Sequence, residues 1–132
     1  MTRITFTVDG QPVAKQRPRT KKTKNGYSTR TPKKTKDYES LVAQSAMIAL
    51  VGREMYDEKA ELSVSIIIHR EDARRADIDN IVKSVMDGME KVVYHNDSQV
   101  LELYSRLYRK SKPARVEVSV KTLVADSKEK AA

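Results

Sequence analysis

Hydrophobic positions in this chain switch between a period of two and a helical period. Residues 3–9 alternate, with Ile4, Phe6 and Val8 on one side and Arg3, Thr5 and Thr7 on the other. That is the pattern of a half-buried strand, and Gly10 and Pro12 end it. From 37 to 51 the spacing becomes helical, with Tyr38, Leu41, Val42, Ser45 and Ala49 as the inward stripe and Ile48 beside it. Thr35 or Asp37 can cap this helix, Asp37 and Glu39 suit the positive end of its dipole, and Gly52 is a natural stop. A polar connection over 53–60 leads to a second strand over 61–69. There Leu62, Val64, Ile66 and Ile68 face one way, and Ser63, Ser65, Ile67 and His69 the other. The Ile66-Ile67-Ile68 run implies burial on both faces, hence a central strand. His69 reads as a strand-end histidine rather than a ligand.

A second helix is predicted over about 80–93. Ile81, Val85, Met89 and Val92 recur at i, i+4, i+8 and i+11, and Val82, Met86 and Val93 widen the stripe. Tyr94 to Asp97 makes a turn. Residues 99–109 then alternate Leu101, Leu103 and Leu107 against Glu102, Tyr104, Arg106 and Tyr108. After a turn from Lys110 to Pro113, Val116, Val118, Val120 and Val124 mark the last strand, expected antiparallel to the previous one. Residues 125–132 read as a polar, frayed tail. The order β-α-β-α-β-β predicts one α/β (α+β) domain spanning 1–132, with two main helices packed on a mixed sheet of about four strands.

Length and composition add limits. A chain of 132 residues supports a single core. The absence of cysteine excludes disulfides and thiolate metal sites. No apolar run approaches the roughly 18 residues of a membrane span, and the start, Met-Thr-Arg-Ile-Thr-Phe, has no signal-peptide pattern. The net charge of +8 points to a polyanionic partner. Its source is local. Residues 10–36 hold ten basic residues and no acid: Lys15, Arg17, Arg19, Lys21, Lys22, Lys24, Arg30, Lys33, Lys34 and Lys36. The other 105 residues carry 16 basic and 18 acidic ones, so the whole positive excess sits in this stretch. Three of the four prolines and an Asn25-Gly26 turn signal fall here too. A loop or loose hairpin that grips phosphates, with Tyr27 near its tip, is the expectation; an inert basic tail is the bland alternative.

The candidate chemistry lies in the stretch Arg74-Arg75-Ala76-Asp77-Ile78-Asp79-Asn80-Ile81-Val82-Lys83 and in Asn96-Asp97-Ser98-Gln99-Val100. If the chain is extended before the helix, Asp77 and Asp79 point to the same side. Asp79 falls at or beside the N-cap, and Asp79, Lys83 and Asp87 share one helix face at four-residue steps. Neighbouring carboxylates repel, which invites a cation, so convergence of Asp77, Asp79 and Asp97 on a divalent metal is the expectation. A helix cap and a solvated ion-pair ladder are the bland alternatives. Beside such a site Arg74 and Arg75 suit phosphate contacts.

The runs DIDNIVKSVMDGM and VYHNDSQV resemble the RusA-type Holliday junction resolvases, whose signature is Asp-x-Asp-Asn ahead of a helix with a lysine one turn in, followed by an Asp-Asp-x-Gln-Val-like segment. Asn96 departs from it, standing where members often carry a second Asp. The specific part covers about residues 70–101. The resemblance implies that Asp77, Asp79 and Asp97 hold the catalytic metal and that Lys83 is also required, with Asp87 as possible support. It implies Mg²⁺ or Mn²⁺, branched DNA as substrate, a homodimer, no small-molecule cofactor, and a cytoplasmic place in a bacterial or phage-encoded setting. The function expected is a metal-dependent endonuclease that resolves four-way junctions by paired nicks in recombination and repair. A nuclease for other branched DNA such as flaps, or a non-catalytic basic nucleic-acid-binding protein, are the alternatives.

Overall fold

The computed structural model describes residues 3–16, 19–30 and 32–123. Its elements run β1 (Arg3–Asp9), β2 (Arg19–Thr23), β3 (Gly26–Arg30), α1 (Lys33–Ala49), β4 (Leu62–His69), α2 (Ile78–Met89), β5 (Val100–Tyr108) and β6 (Arg115–Thr122). One turn of 3-10 helix, Asp97–Gln99, precedes β5. This is the expected strand and helix order, with the basic segment folded as an inserted two-stranded hairpin, β2–β3. Val124 and the tail over 125–132 lie outside the described residues.

The four-stranded sheet has the order β1-β6-β4-β5. β1 and β4 flank β6 antiparallel, while β5 runs parallel to β4 along the edge. The sequence expectation that the last two strands are neighbours is therefore corrected. The β4–α2–β5 crossover makes a parallel pair, as a helical connection allows. The chain then passes the end of β4, held by Lys110 N to Asp72 O at 3.0 Å and Ser111 N to Arg70 O at 2.8 Å, before β6 enters on the far side. β4 is central as expected, with Leu62, Val64, Ile66 and Ile68 fully buried.

Both helices pack on one face of the sheet over a core that includes Ile4, Phe6, Val8, Val42, Ile81, Val85, Val116 and Val118. α1 begins at Lys33, four residues before the expected start, with Pro32 at its N-cap and no side-chain cap bond. The lysines that read as loop are good helix formers once a proline has set the entry. Its inward stripe is also rotated. Thr35, Tyr38, Val42 and Ala46 are buried, whereas Leu41, expected inward, and Ile48, expected beside that stripe, are exposed. Thr35, considered as a cap, is instead buried inside the helix, and its Oγ1 accepts from Gln16 N at 3.3 Å.

α2 presents the expected face, burying Ile81, Val82, Val85 and Met89. It ends at Met89 rather than Val93, because Lys91 adopts a positive φ of 68° and turns the chain; Val93 is still buried, beyond the helix. Where α1 crosses α2, Gly88 is required by space. A Cβ there would stand 2.7 Å from Val42 Cβ and 2.9 Å from Glu39 O.

Candidate functional site

α2 also starts earlier than its pattern suggested. The helix begins at Ile78, with Asp77 as its N-cap and Asp79 in its first turn. The extended i, i+2 pairing of Asp77 with Asp79 is corrected accordingly; Asp77 occupies the N-cap position without a side-chain cap bond. Asp77 Oδ2 accepts from Asn80 Nδ2 at 3.2 Å. Asp79, Lys83 and Asp87 then follow one another along the same side of α2, as their spacing required.

That side faces a groove of about 490 Å³ between α2 and β5. α2 contributes Ile78, Asp79, Val82, Lys83, Met86 and Asp87 to its lining, and Asp97, Leu103 and Ser105 come from the chain entering and forming β5. The structure thus brings Asp79, Lys83, Asp87 and Asp97 to one open groove, while Asp77 stands just outside its lining. Among the described residues no three acidic or histidine side chains stand close enough together to enclose an ion as placed. The anionic donors of the groove, Asp79, Asp87 and Asp97, are all carboxylates, the chemistry that a hard cation prefers. Lys83 makes no ion pair with Asp79 or Asp87 among the described residues; its ammonium is exposed on the groove.

Asp97 is placed by a web of backbone bonds. Asn96 Oδ1 accepts from Ser98 N at 2.8 Å. Gln99 Oε1 accepts from His95 N at 2.8 Å and Asn96 N at 3.1 Å, and Gln99 Nε2 donates to Asp57 O and Ala60 O. Gln99 is buried and uses both ends of its amide, so it pins the turn that carries Asp97. Tyr94, fully buried, donates to Met86 O at 2.6 Å and ties the same turn to α2; burial pushes its phenol well above the ordinary range.

Sequence reasoning places Lys15 among the DNA contacts. The structure gives it other partners. Its Nζ lies 2.6 Å from Asp87 Oδ2 and 3.0 Å from Glu39 Oε2. Burial works to lower its pKa, but the bonds to Asp87 and Glu39 outweigh that and hold it above its ordinary value. The neighbouring backbone is tied down as well. Lys15 N donates to Asn80 O at 2.8 Å, and Val13 O accepts from Ser84 Oγ at 2.6 Å. Residues 13–16 therefore strap the root of the basic hairpin to α1 and α2. No pattern in the sequence pointed to these contacts of Glu39 and Ser84, whose partners Lys15 and Val13 lie 24 and 71 residues away.

The hairpin turns at Lys24-Asn25, and Gly26, opening β3, takes a φ of 125°. Lys22, Lys24 and Tyr27 are exposed; Arg19, Lys21 and Arg30 belong to its strands, and Arg17 lies outside the described residues. Lys33 pairs with Asp37 one helical turn on, at 3.0 Å, and Lys34 is exposed. Arg74 and Arg75 are exposed on the loop before α2. Asp72 organises that loop, accepting from Arg70 Nε and Nη2, Gln11 Nε2 and Arg74 N. The Arg70 fork holds its carboxyl below the usual range. His69 is the structural histidine expected: it stacks on Tyr108 and bonds Ser111 Oγ and Glu117 Oε1, each at 2.8 Å.

Comparison with known proteins decides the family. The model for the endodeoxyribonuclease RusA matches residues 9–121. This chain belongs to the RusA family. It is therefore an endodeoxyribonuclease of a family of Holliday junction resolvases, which hydrolyse DNA. It is also similar to the uncharacterized protein YqaN of Bacillus subtilis (strain 168), 31% identical over 144 residues covering 92% of this chain and 98% of that one. The family match spans the α2 groove, the turn that bears Asp97 and the basic hairpin together. No helix among the described residues is long and apolar enough to cross a membrane.

Proposed function

We propose that this RusA-family nuclease resolves four-way DNA junctions in recombination and repair by paired, symmetric nicks that depend on a divalent ion, Mg²⁺ or Mn²⁺. The observation that carries the reading is the groove itself, which gathers Asp79, Asp87, Asp97 and the exposed Lys83 on one face, with a separate basic hairpin segment that holds no acid. Asp77, Asp79 and Asp97 would hold the ion. What such an ion supplies when bound is polarisation of the scissile phosphate and activation of a water. The Lys83 ammonium offsets negative charge on the phosphorus as it becomes five-coordinate. Asp87, with its charge balanced by Lys15, supports the wall of the groove rather than holding the ion.

DNA is held by phosphate contacts from cationic side chains. Arg17, Arg19, Lys21, Lys22, Lys24 and Arg30 of the hairpin segment grip one arm, and Lys33, Lys34, Arg74 and Arg75 add further phosphate contacts. A junction presents two symmetric strands, so a two-fold homodimer is the matching assembly, acting within the cytoplasm. The test is cleavage of a synthetic four-way junction with and without Mg²⁺. Two nicked duplexes formed only with the ion, and an untouched linear duplex of the same sequence, are the expected result. Equal cutting of flaps and junctions would replace the junction reading with a broader branched-DNA one. Cutting unaffected by EDTA would remove the metal.

A further inference from the structure

Lys83 stands in the groove with a carboxylate one helical turn to either side, Asp79 before it and Asp87 after it. Four residues is the spacing at which lysine and aspartate pair along a helix. Lys83 is nevertheless exposed, and it makes no ion pair among the described residues. Asp87 is engaged instead by a cation from outside the groove. Lys15 Nζ lies 2.6 Å from Asp87 Oδ2, the shortest ion pair among the described residues, and 3.0 Å from Glu39 Oε2 of α1. Neither Lys15 nor Glu39 lines the groove.

This bridge is sheltered. The side chains of Lys15, Asp87 and Glu39 are 21%, 26% and 23% exposed, so salt screens them less than it screens a surface pair. Burial opposes the charge on Lys15, but its bonds to Asp87 and Glu39 hold its pKa above the ordinary value, and the ammonium is fully charged at neutral pH. The backbone here is fastened separately, through Lys15 N to Asn80 O and Ser84 Oγ to Val13 O, and neither bond uses the ammonium.

We propose that Lys15 is a positioning residue for the reaction: it holds Asp87 to itself and so leaves the Lys83 ammonium free for the scissile phosphate. Without Lys15, Asp87 is an unbalanced carboxylate one turn from Lys83. It then draws the ammonium along the helix and repels a phosphate entering the groove. One cation of the basic segment thus acts on the chemistry through a carboxylate 72 residues away, while its neighbours act on DNA. The inference deepens the metal-nuclease reading and rests on it for the phosphate. A mere strap between α1 and α2 is the competing role, and it makes Glu39 matter as much as Asp87.

The test is single-turnover nicking of a four-way junction at saturating DNA and Mg²⁺. Glu39→Gln cuts the α1 half of the bridge but leaves Asp87 its cation, so nicking should stay at the wild-type rate. Adding Lys15→Gln removes one further charge of the opposite sign. The cluster's net charge is then that of the wild type, and only the balance at Asp87 is lost. Nicking in this double variant should fall roughly three- to tenfold, a paired lysine and a repelled phosphate together. Asp87→Asn in that background should restore most of the rate. Lys83→Gln should cost clearly less there than in the wild type, because the two changes act through one group. A double variant that nicks at the wild-type rate overturns the proposal. So does a Glu39→Gln loss as large as that of the pair, or a Lys83→Gln cost equal in both backgrounds. Acylation of Lys83 by an amine reagent, read by mass spectrometry without DNA or metal, keeps the two readings apart. Slower labelling of Lys83 in the double variant, with no junction cut even by the wild type, removes only the nuclease reading. Unchanged labelling and rate beside active wild type removes only the role of Lys15.

Discussion

The β2–β3 hairpin and the α2 groove carry opposite charge on opposite kinds of scaffold. Among the described residues the hairpin strands pair only with each other, and their segment is basic with no acid. A two-stranded ribbon alone is marginal in water, and this one is anchored at its root through Val13, Lys15 and Gln16. The groove is acidic and stands on a helix whose Ile81, Val85 and Met89 are fully buried. Groups that do chemistry must be held closely, whereas a phosphate grip tolerates a pliant arm because its energy is long-ranged and insensitive to base identity. Changes in the groove should therefore alter turnover with little effect on binding, and changes in the hairpin the reverse.

The strongest test of that division is Asp97→Asn. Asp97 is exposed, and its backbone N–H donates to Glu90 Oε1, so the fold does not need its charge. Junction nicking should fall by at least about 100-fold, since even partners one shell removed from a metal commonly matter by 10–100-fold. Junction affinity should be retained. Nicking at the wild-type rate under saturating Mg²⁺ would take Asp97 out of the ligand set.

Gly88→Ala asks whether the groove's scaffold is as rigid as the comparison needs. Alanine favours a helix over glycine by about 1 kcal/mol. Here, however, its methyl would press on Val42 Cβ and Cγ1 and on Glu39 O, all within 2.9 Å. Overpacking of this kind costs about 1–3 kcal/mol, so urea unfolding should show a net loss of stability. A gain would mean that α1 and α2 slide freely, and that Lys15 rather than packing sets the distance between them.

How much of the molecule is legible in its sequence follows the same division. The face of α2 and the central place of β4 are readable because both are buried elements with an unbroken period. The carboxylates on α2 follow from that face. The sheet order is not readable, because β5 and β6 are adjacent in sequence while β4, joined to β5 by the crossover through α2, stands between them in the sheet. The pattern of α1 misleads because Leu41 and Ile48 suggest a stripe that Thr35 and Ala46 in fact make. Lys15 is indistinguishable from its nine basic neighbours in sequence, since what sets it apart is Glu39 and Asp87, 24 and 72 residues away.

Salt dependence separates Lys15 from those neighbours. Changing Lys21, Lys22 and Lys24 together to glutamine should weaken binding to all DNA. It should also flatten the log–log salt slope by roughly 0.9 for each phosphate no longer neutralised. Lys15→Gln should weaken binding without changing the slope, because its ammonium is engaged by Asp87 and Glu39 and its removal loosens the strap instead. A slope that flattens by roughly 0.9 in that variant would return Lys15 to the phosphate grip. An unchanged slope in the triple variant would leave the hairpin without a role in binding.

The smallest effect concerns the helix that joins the two regions. Tyr38 faces inward from α1, just after the lysines that follow the hairpin, and is 4% exposed. Its hydroxyl is buried and finds no hydrogen-bond partner among the described residues, and burial alone pushes its pKa above the ordinary range. A buried hydroxyl without a partner carries its desolvation penalty uncompensated. Tyr38→Phe keeps the ring in the core and removes that penalty, so it should be neutral or stabilise the protein by up to about 1 kcal/mol, with nicking and DNA affinity unchanged. The sign is the informative part. A destabilisation of about 1 kcal/mol or more in thermal or urea unfolding would mean that the hydroxyl is satisfied in solution, by an ordered water, and that α1 is fastened to the core by a polar bond in addition to its apolar stripe.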